Sequence, residues 1–119
     1  MLGLLGLLAC GGPTLTELED VGLFCRDTTD GELVVDFGVC LSSSCDTLLE
    51  ATCSGELVGD ELVVTATVRY ETDGDECTDD CGRARAECRL PTLTDTEGLT
   101  VRYGTQVVPF RNGIPTCDL

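Results

Sequence analysis

Nine cysteines and no histidine in 119 residues constrain this chain more than any other feature. Three Phe, two Tyr and no Trp can supply only a modest core. Small exported domains with too little core add disulfides. The alternative use of clustered thiols is zinc. Without histidine that site would need four thiolates, and the sequence has no paired C-x-x-C units to offer them. An odd cysteine count in an oxidising compartment leaves one thiol to be accounted for.

The first ten residues account for it. Met1-Leu-Gly-Leu-Leu-Gly-Leu-Leu-Ala-Cys10 holds five leucines in an apolar run. The run is too short for a bilayer span, which takes about 20 residues. It ends in a small residue before polar, Gly/Pro-containing sequence, the pattern of an export signal. Leu7-Leu8-Ala9-Cys10 resembles the lipobox of bacterial lipoprotein precursors. The resemblance implies cleavage before Cys10, diacylglycerol on its thiol and acylation of the new amine. Gly11 after that cysteine resembles outer-membrane lipoproteins of Gram-negative bacteria. The implied organisation is a signal peptide over residues 1–9, a lipidated acidic tether over 10–23 and one disulfide-stapled domain over 24–119. With Cys10 lipidated, Cys25, Cys40, Cys45, Cys53, Cys77, Cys81, Cys88 and Cys117 remain. That even set fits four bridges.

The charge narrows the partners. Twenty-two acids stand against seven arginines, with no lysine, for a net charge of −15. Nucleic acid needs a basic face, so it is excluded as a partner. The body of the domain is equally unsuited to lying flat on anionic lipid. Contact with the membrane is expected through the lipid on Cys10.

Period-two patterning runs through most of the rest. Leu33, Val35, Phe37 and Val39 alternate with Val34, Asp36 and Gly38, which predicts a half-buried strand. Leu49, Ala51 and Cys53 share one face of a second. The turn Val58–Glu61 leads to Leu62, Val64, Ala66, Val68 and Tyr70, the clearest apolar face in the chain. Their β-branched neighbours suit a strand. Ala84, Ala86, Cys88 and Leu90 alternate with Arg83, Arg85, Glu87 and Arg89, a strand with a short helix as its alternative. Leu99–Tyr103, the turn at Gly104-Thr105 and Gln106–Phe110 form a last hairpin, with Pro109 marking an edge. Leu41–Ser44, Glu71–Asp80 and Pro91–Gly98 read as loops. The expected fold is an all-β, disulfide-rich sandwich of about six short antiparallel strands, with a small β-barrel as the alternative.

Chemistry is sparsely supplied. Without histidine there is no Ser-His or Cys-His nucleophile, and no G-x-S-x-G elbow occurs. The reading is therefore not an enzyme. Asp73, Asp75, Glu76, Asp79 and Asp80 crowd oxygen ligands of the kind calcium prefers. Cys77 breaks the EF-hand spacing, and no other cofactor is indicated. Cys77-Thr-Asp-Asp-Cys81 is one residue too long for a thioredoxin-like motif, and its acids would raise thiol pKa values. Arg83, Arg85 and Arg89 form the one basic cluster, read as a patch for an anionic partner or as pairing for the acid surplus. The leading function is a cell-envelope binding or structural module with a protein or glycan partner. A small protease inhibitor, with a loop flanked by Cys40–Cys45 or Cys77–Cys81, is one alternative. A calcium-dependent adhesion module is the other.

Strand phase suggests one bridge. Cys53 and Cys88 both fall on inward faces of separate strands, which pairs them through the core. Cys40–Cys45 and Cys77–Cys81 are assigned locally, and Cys25–Cys117 joins the ends. Alkylation under denaturing conditions without reductant is expected to label none of these eight cysteines. Labelling of two or more would refute four bridges.

Overall fold

The computed structural model describes residues 12–117, so the signal segment and Cys10 lie outside the described residues. It contains eight strands: β1 (Thr14–Glu19), β2 (Leu23–Arg26), β3 (Leu33–Leu41), β4 (Asp46–Val58), β5 (Glu61–Thr72), β6 (Gly82–Arg89), β7 (Thr100–Tyr103) and β8 (Gln106–Pro109). An irregular turn, Phe110–Gly113, follows, with Arg111 extended and Asn112 left-handed at φ 65. The strands form one sheet in the order β2-β3-β6-β4-β5-β7-β8, with β1 lying on β5 beside β7.

The chain is all-β and disulfide-stapled, and its sheet is nearly closed. Of the two arrangements expected from sequence, the barrel describes the strand path. The sandwich persists as two half-sheets, β2-β3-β6 and β4-β5 with β1, β7 and β8. They meet through only two residue pairs, Cys53 with Cys88 and Ser54 with Arg89. This join is parallel, as is β5 with β7, so the sheet is not purely antiparallel.

The period-two faces place the core. Leu62, Val64, Ala66 and Val68 of β5 are buried against Val35, Phe37, Ala84, Val101 and Tyr103. Ala84 to Leu90 alternates as a strand and not as a helix, with Ala84 and Ala86 inside. Two readings are corrected by packing. Leu49 is 43% exposed, because a bulge between Leu48 and Glu50 moves the residues before Ala51 out of phase with Cys53. Residues 14–19, expected as tether, pair along β5 from Thr72 to Thr67. Thr16 and Leu18 alternate with exposed Glu17 and Glu19, so the acids sit on the wet face of a real strand. Register sets Glu17 opposite Arg69, which also pairs with Glu50 at 3.4 Å. β2 is only four residues long, too short for periodicity to reveal. The turn before it requires Gly22, because a Cβ there would stand 2.0 Å from the Asp36 carbonyl oxygen.

All eight downstream cysteines are bridged: Cys25–Cys117, Cys40–Cys81, Cys45–Cys77 and Cys53–Cys88. The first and last match the expected pairing. Cys53–Cys88 does not span two facing sheets, however; it links register neighbours on adjacent strands. The local pairs Cys40–Cys45 and Cys77–Cys81 are corrected. The turn before β4 and the loop before β6 lie against each other, so each cysteine of one meets a cysteine of the other. Hydroxyl contacts between Ser42 and Thr78, at 2.9 Å, knit the same two segments.

Side chains complete the sheet where backbone runs out. The Gln106 carboxamide accepts from the Phe24 N–H and donates to the Phe24 carbonyl, both at 3.0 Å. It thereby acts as a strand residue between β8 and β2. Asp20, in the left-handed region at φ 56, does the same in the gap between β1 and β7. Its N–H donates to the Ala66 carbonyl and its Oδ1 accepts from the Ala66 N–H, both at 2.9 Å. Beyond Gln106 the edge of β2 is covered by the C-terminal segment. The Arg26 N–H donates to the Pro115 carbonyl, and the Cys117 N–H donates to the Arg26 carbonyl.

Gln106→Leu keeps the volume and removes both bonds. Leaving the amide groups of buried Phe24 unpaired is expected to lower stability by about 2 kcal/mol. Chemical denaturation followed by circular dichroism checks this; a change below about 0.5 kcal/mol would mean that the carboxamide does not hold the seam.

Candidate functional site

The narrow join between the half-sheets creates a site. On the approach to Cys53 and Cys88, β4 and β6 are not paired with each other. Each keeps its neighbour on the far side, β5 and β3 respectively. The space where they diverge is an open cleft of about 880 Å³. Residues from both faces of each strand line it, Ala51 with Thr52 and Ala86 with Glu87, as happens when strand edges form the walls. Thr52 is in register with Thr67, and Ser54 with Thr65. These pairs bring four hydroxyl residues to one side of the cleft. Arg85, Glu87 and Arg89 come from β6, with Glu32 beside them.

The expected basic cluster is divided by the structure. Arg85 and Arg89 line the cleft, whereas Arg83 lies outside it. Arg83 and Arg85 are tied to Asp36: Arg83 Nη1 donates to Asp36 Oδ2 at 2.8 Å, and Arg85 Nε donates to the same oxygen at 3.1 Å. Arg85 Nη1 lies 3.5 Å from an Asp27 oxygen, and its buried Nη2 makes no hydrogen bond. Among the described residues Arg89 enters no ion pair. The side chains of the other arginines are all engaged: Arg69 with Glu50, Arg102 with Glu61, Arg26 with the Gly31 backbone carbonyl and Arg111 with the Thr96 hydroxyl.

Asp36 is the organising residue beside the cleft that sequence reasoning missed. Alternation places it on the solvent face of β3, yet it is only 7% exposed. Burial alone would raise its pKa. The Gly38 N–H and the guanidinium groups of Arg83 and Arg85 outweigh burial and hold the carboxyl below its ordinary value. No local signal in β3 could have shown this, because the partners are 47 and 49 residues away.

The acidic loop is spread out in this structure. Among the described residues no group of three or more acids or thiols converges on a point, so Asp73, Asp75, Glu76, Asp79 and Asp80 do not form one. Asp80 is engaged by the Thr78 hydroxyl, with further bonds from Ser43, and these lower its pKa. Asp46 is lowered in the same way, by the Thr72 hydroxyl and the Ser42 N–H. Tyr103 moves upward: burial raises it most and the charge of Asp20 adds to this. Its hydroxyl donates to the Val21 carbonyl at 2.5 Å.

No family model, curated protein or solved structure matches this chain.

Asp36→Asn is expected to cost about 2 kcal/mol at neutral pH, since it removes the charge on which two guanidinium groups converge. A folded pKa below the unfolded one stabilises the fold above about pH 4, and that contribution disappears as pH falls through the folded value. The gap between variant and parent should therefore shrink as acid is added below about pH 4. Urea denaturation across a pH series checks the sign; a gap that widens in acid would refute it.

Proposed function

We propose that this chain is a lipid-anchored, non-enzymatic binding module of a bacterial cell envelope, and that the cleft between β4 and β6 is where it binds. Arg89 carries the binding reading. In a chain with 22 acids and seven arginines, an arginine on a cleft wall with no ion pair among the described residues is a group kept for a partner. The anchor reading rests on Leu7-Leu8-Ala9-Cys10 and on arithmetic. The eight cysteines from Cys25 onward pair among themselves, so the odd count falls on Cys10. Extracytoplasmic oxidising conditions suit four disulfides. Among the described residues no helix is long and apolar enough to cross a membrane.

Geometry supports a close approach to the lipid. β1 begins at Thr14, four positions after Cys10. That length reaches at most about 14 Å. Thr14 pairs with Thr72, whereas Cys53 at the cleft pairs with Ala66. Six residues of strand separate those positions, or about 20 Å along β5. The join that closes the cleft thus sits about 20 Å from the anchored end, and the cleft opens back towards that end.

The carboxyls with shifted pKa values agree with a non-enzymatic reading. Asp36, Asp46 and Asp80 are all shifted downward. A general acid working near neutral pH requires the opposite shift. The inhibitor alternative calls for a rigid exposed loop; residues 43–45, a tight turn laced to the 77–81 segment, are the stretch it would rest on.

Cys10→Ser is expected to abolish acylation and membrane retention, because the thioether needs that sulfur. Intact mass of membrane-extracted protein reads it directly. A mass that begins at Met1, or that carries no acyl groups, would overturn the anchor.

A further inference from the structure

The cleft walls are strand edges, and this points to a class of partner. Residues 47–52 of β4 and 83–87 of β6 have a strand neighbour on one side only. An unpaired edge presents a row of N–H and C=O groups, a template for another extended segment. Here two such edges run parallel and open towards each other from the Cys53–Cys88 join. One extended segment entering the opening meets backbone donors and acceptors on either wall. Side chains on and beyond the walls add a pattern. Leu48 and Leu49, 44% and 43% exposed, stand at the β4 bulge, on the same strand edge but before the residues that line the cleft. Arg89, without an ion partner among the described residues, stands at the join.

The geometry points to recognition of an extended polypeptide segment by strand addition in this cleft. An apolar side chain of that segment covers Leu48 and Leu49, and a carboxylate meets Arg89. The inference rests on the cleft being the binding site and adds the chemical class of its occupant. A second copy of this chain is the less suitable occupant, because two bodies of charge −15 repel each other. The bulge also limits indiscriminate pairing, since it bends the β4 edge away from straight strands.

The test uses the full chain and synthetic nine-residue peptides. They alternate Val and Thr and end in Asp, or in Arg as the control. The Asp peptide is expected to bind, and the Arg peptide to bind at least tenfold more weakly. Arg89→Glu should reverse that order, and Leu49→Lys should weaken both peptides. Both positions are on the surface, and circular dichroism with melting curves establishes that the variants fold. Hydrogen exchange should show amides of residues 50–52 and 84–87 slowed at least tenfold by the Asp peptide. Equal binding of the two peptides, binding unmoved by Arg89→Glu, or protection elsewhere would overturn the inference. A parallel glycan panel separates the two levels. Glycan binding lost in Arg89→Glu, with no peptide bound, leaves the cleft as the site and removes the polypeptide. No binding in either arm removes both.

Discussion

The structure depends on a join of two residue pairs. Between β4 and β6 the half-sheets share only Cys53 with Cys88 and Ser54 with Arg89. So few backbone contacts cannot by themselves hold two sheets in register, and the disulfide at that position makes the contact covalent. The bridge closes a loop across a sequence separation of 35. The chain-entropy model assigns such a loop about 4 kcal/mol of stabilisation. The bond also fixes the cleft, because its position sets where β4 and β6 begin to diverge.

The opposite seam uses weaker means. Gln106 imitates a peptide group between β8 and β2; beside it in the sheet, Asp20 uses its N–H and Oδ1 to pair with Ala66 of β5 in the gap that β1 and β7 leave. Each supplies one donor and one acceptor, matching what a strand residue would offer to one neighbour. A small sheet can close in this way without longer strands. Cys25–Cys117 then ties the C-terminal segment along β2, with Val34 packed against the sulfurs. A covalent seam on one side and a hydrogen-bonded seam on the other imply unequal resistance to opening. Loss of order should begin at Gln106 rather than at Cys53.

Much of this was legible in the sequence, and what was not has definable causes. Alternation revealed the β5 core face, from Leu62 to Val68, because both its flanks are paired and its inner face is covered. The same alternation gave the inward phase of Cys53 and Cys88, and so their bridge. It could not show that they are neighbours in one sheet, since phase reports a face and not a distance. β1 was hidden by its acids, which suit an exposed strand face as well as a tether. The pairs Cys40–Cys81 and Cys45–Cys77 depend on two segments more than 30 residues apart being pressed together. Short spacing within either segment carries no trace of that contact. The cleft is still less accessible to pattern reading, because it consists of a missing pairing. Arg85 and Arg89 were visible as candidates, but only the fold separates them from Arg83.

Charge ties the seam to the cleft. With three acids for each arginine, carboxylates here need no special pairing to stay solvated, whereas the arginines are heavily outnumbered by groups that could pair with them. Asp36 takes two of them into a nearly buried cluster that joins β3 to β6. That cluster holds the outward side of β6 rigid, and Arg89 extends from the same strand at the join, four residues beyond Arg85. A guanidinium held on a fixed strand loses little freedom when a carboxylate docks, so more of the interaction is realised as affinity. The surrounding negative field works against the same event by repelling a heavily acidic partner. The two effects together favour a segment with a single well-placed carboxylate over one with many. Raising the salt concentration would relax this preference, because long-range repulsion is screened before a close, partly desolvated pair is.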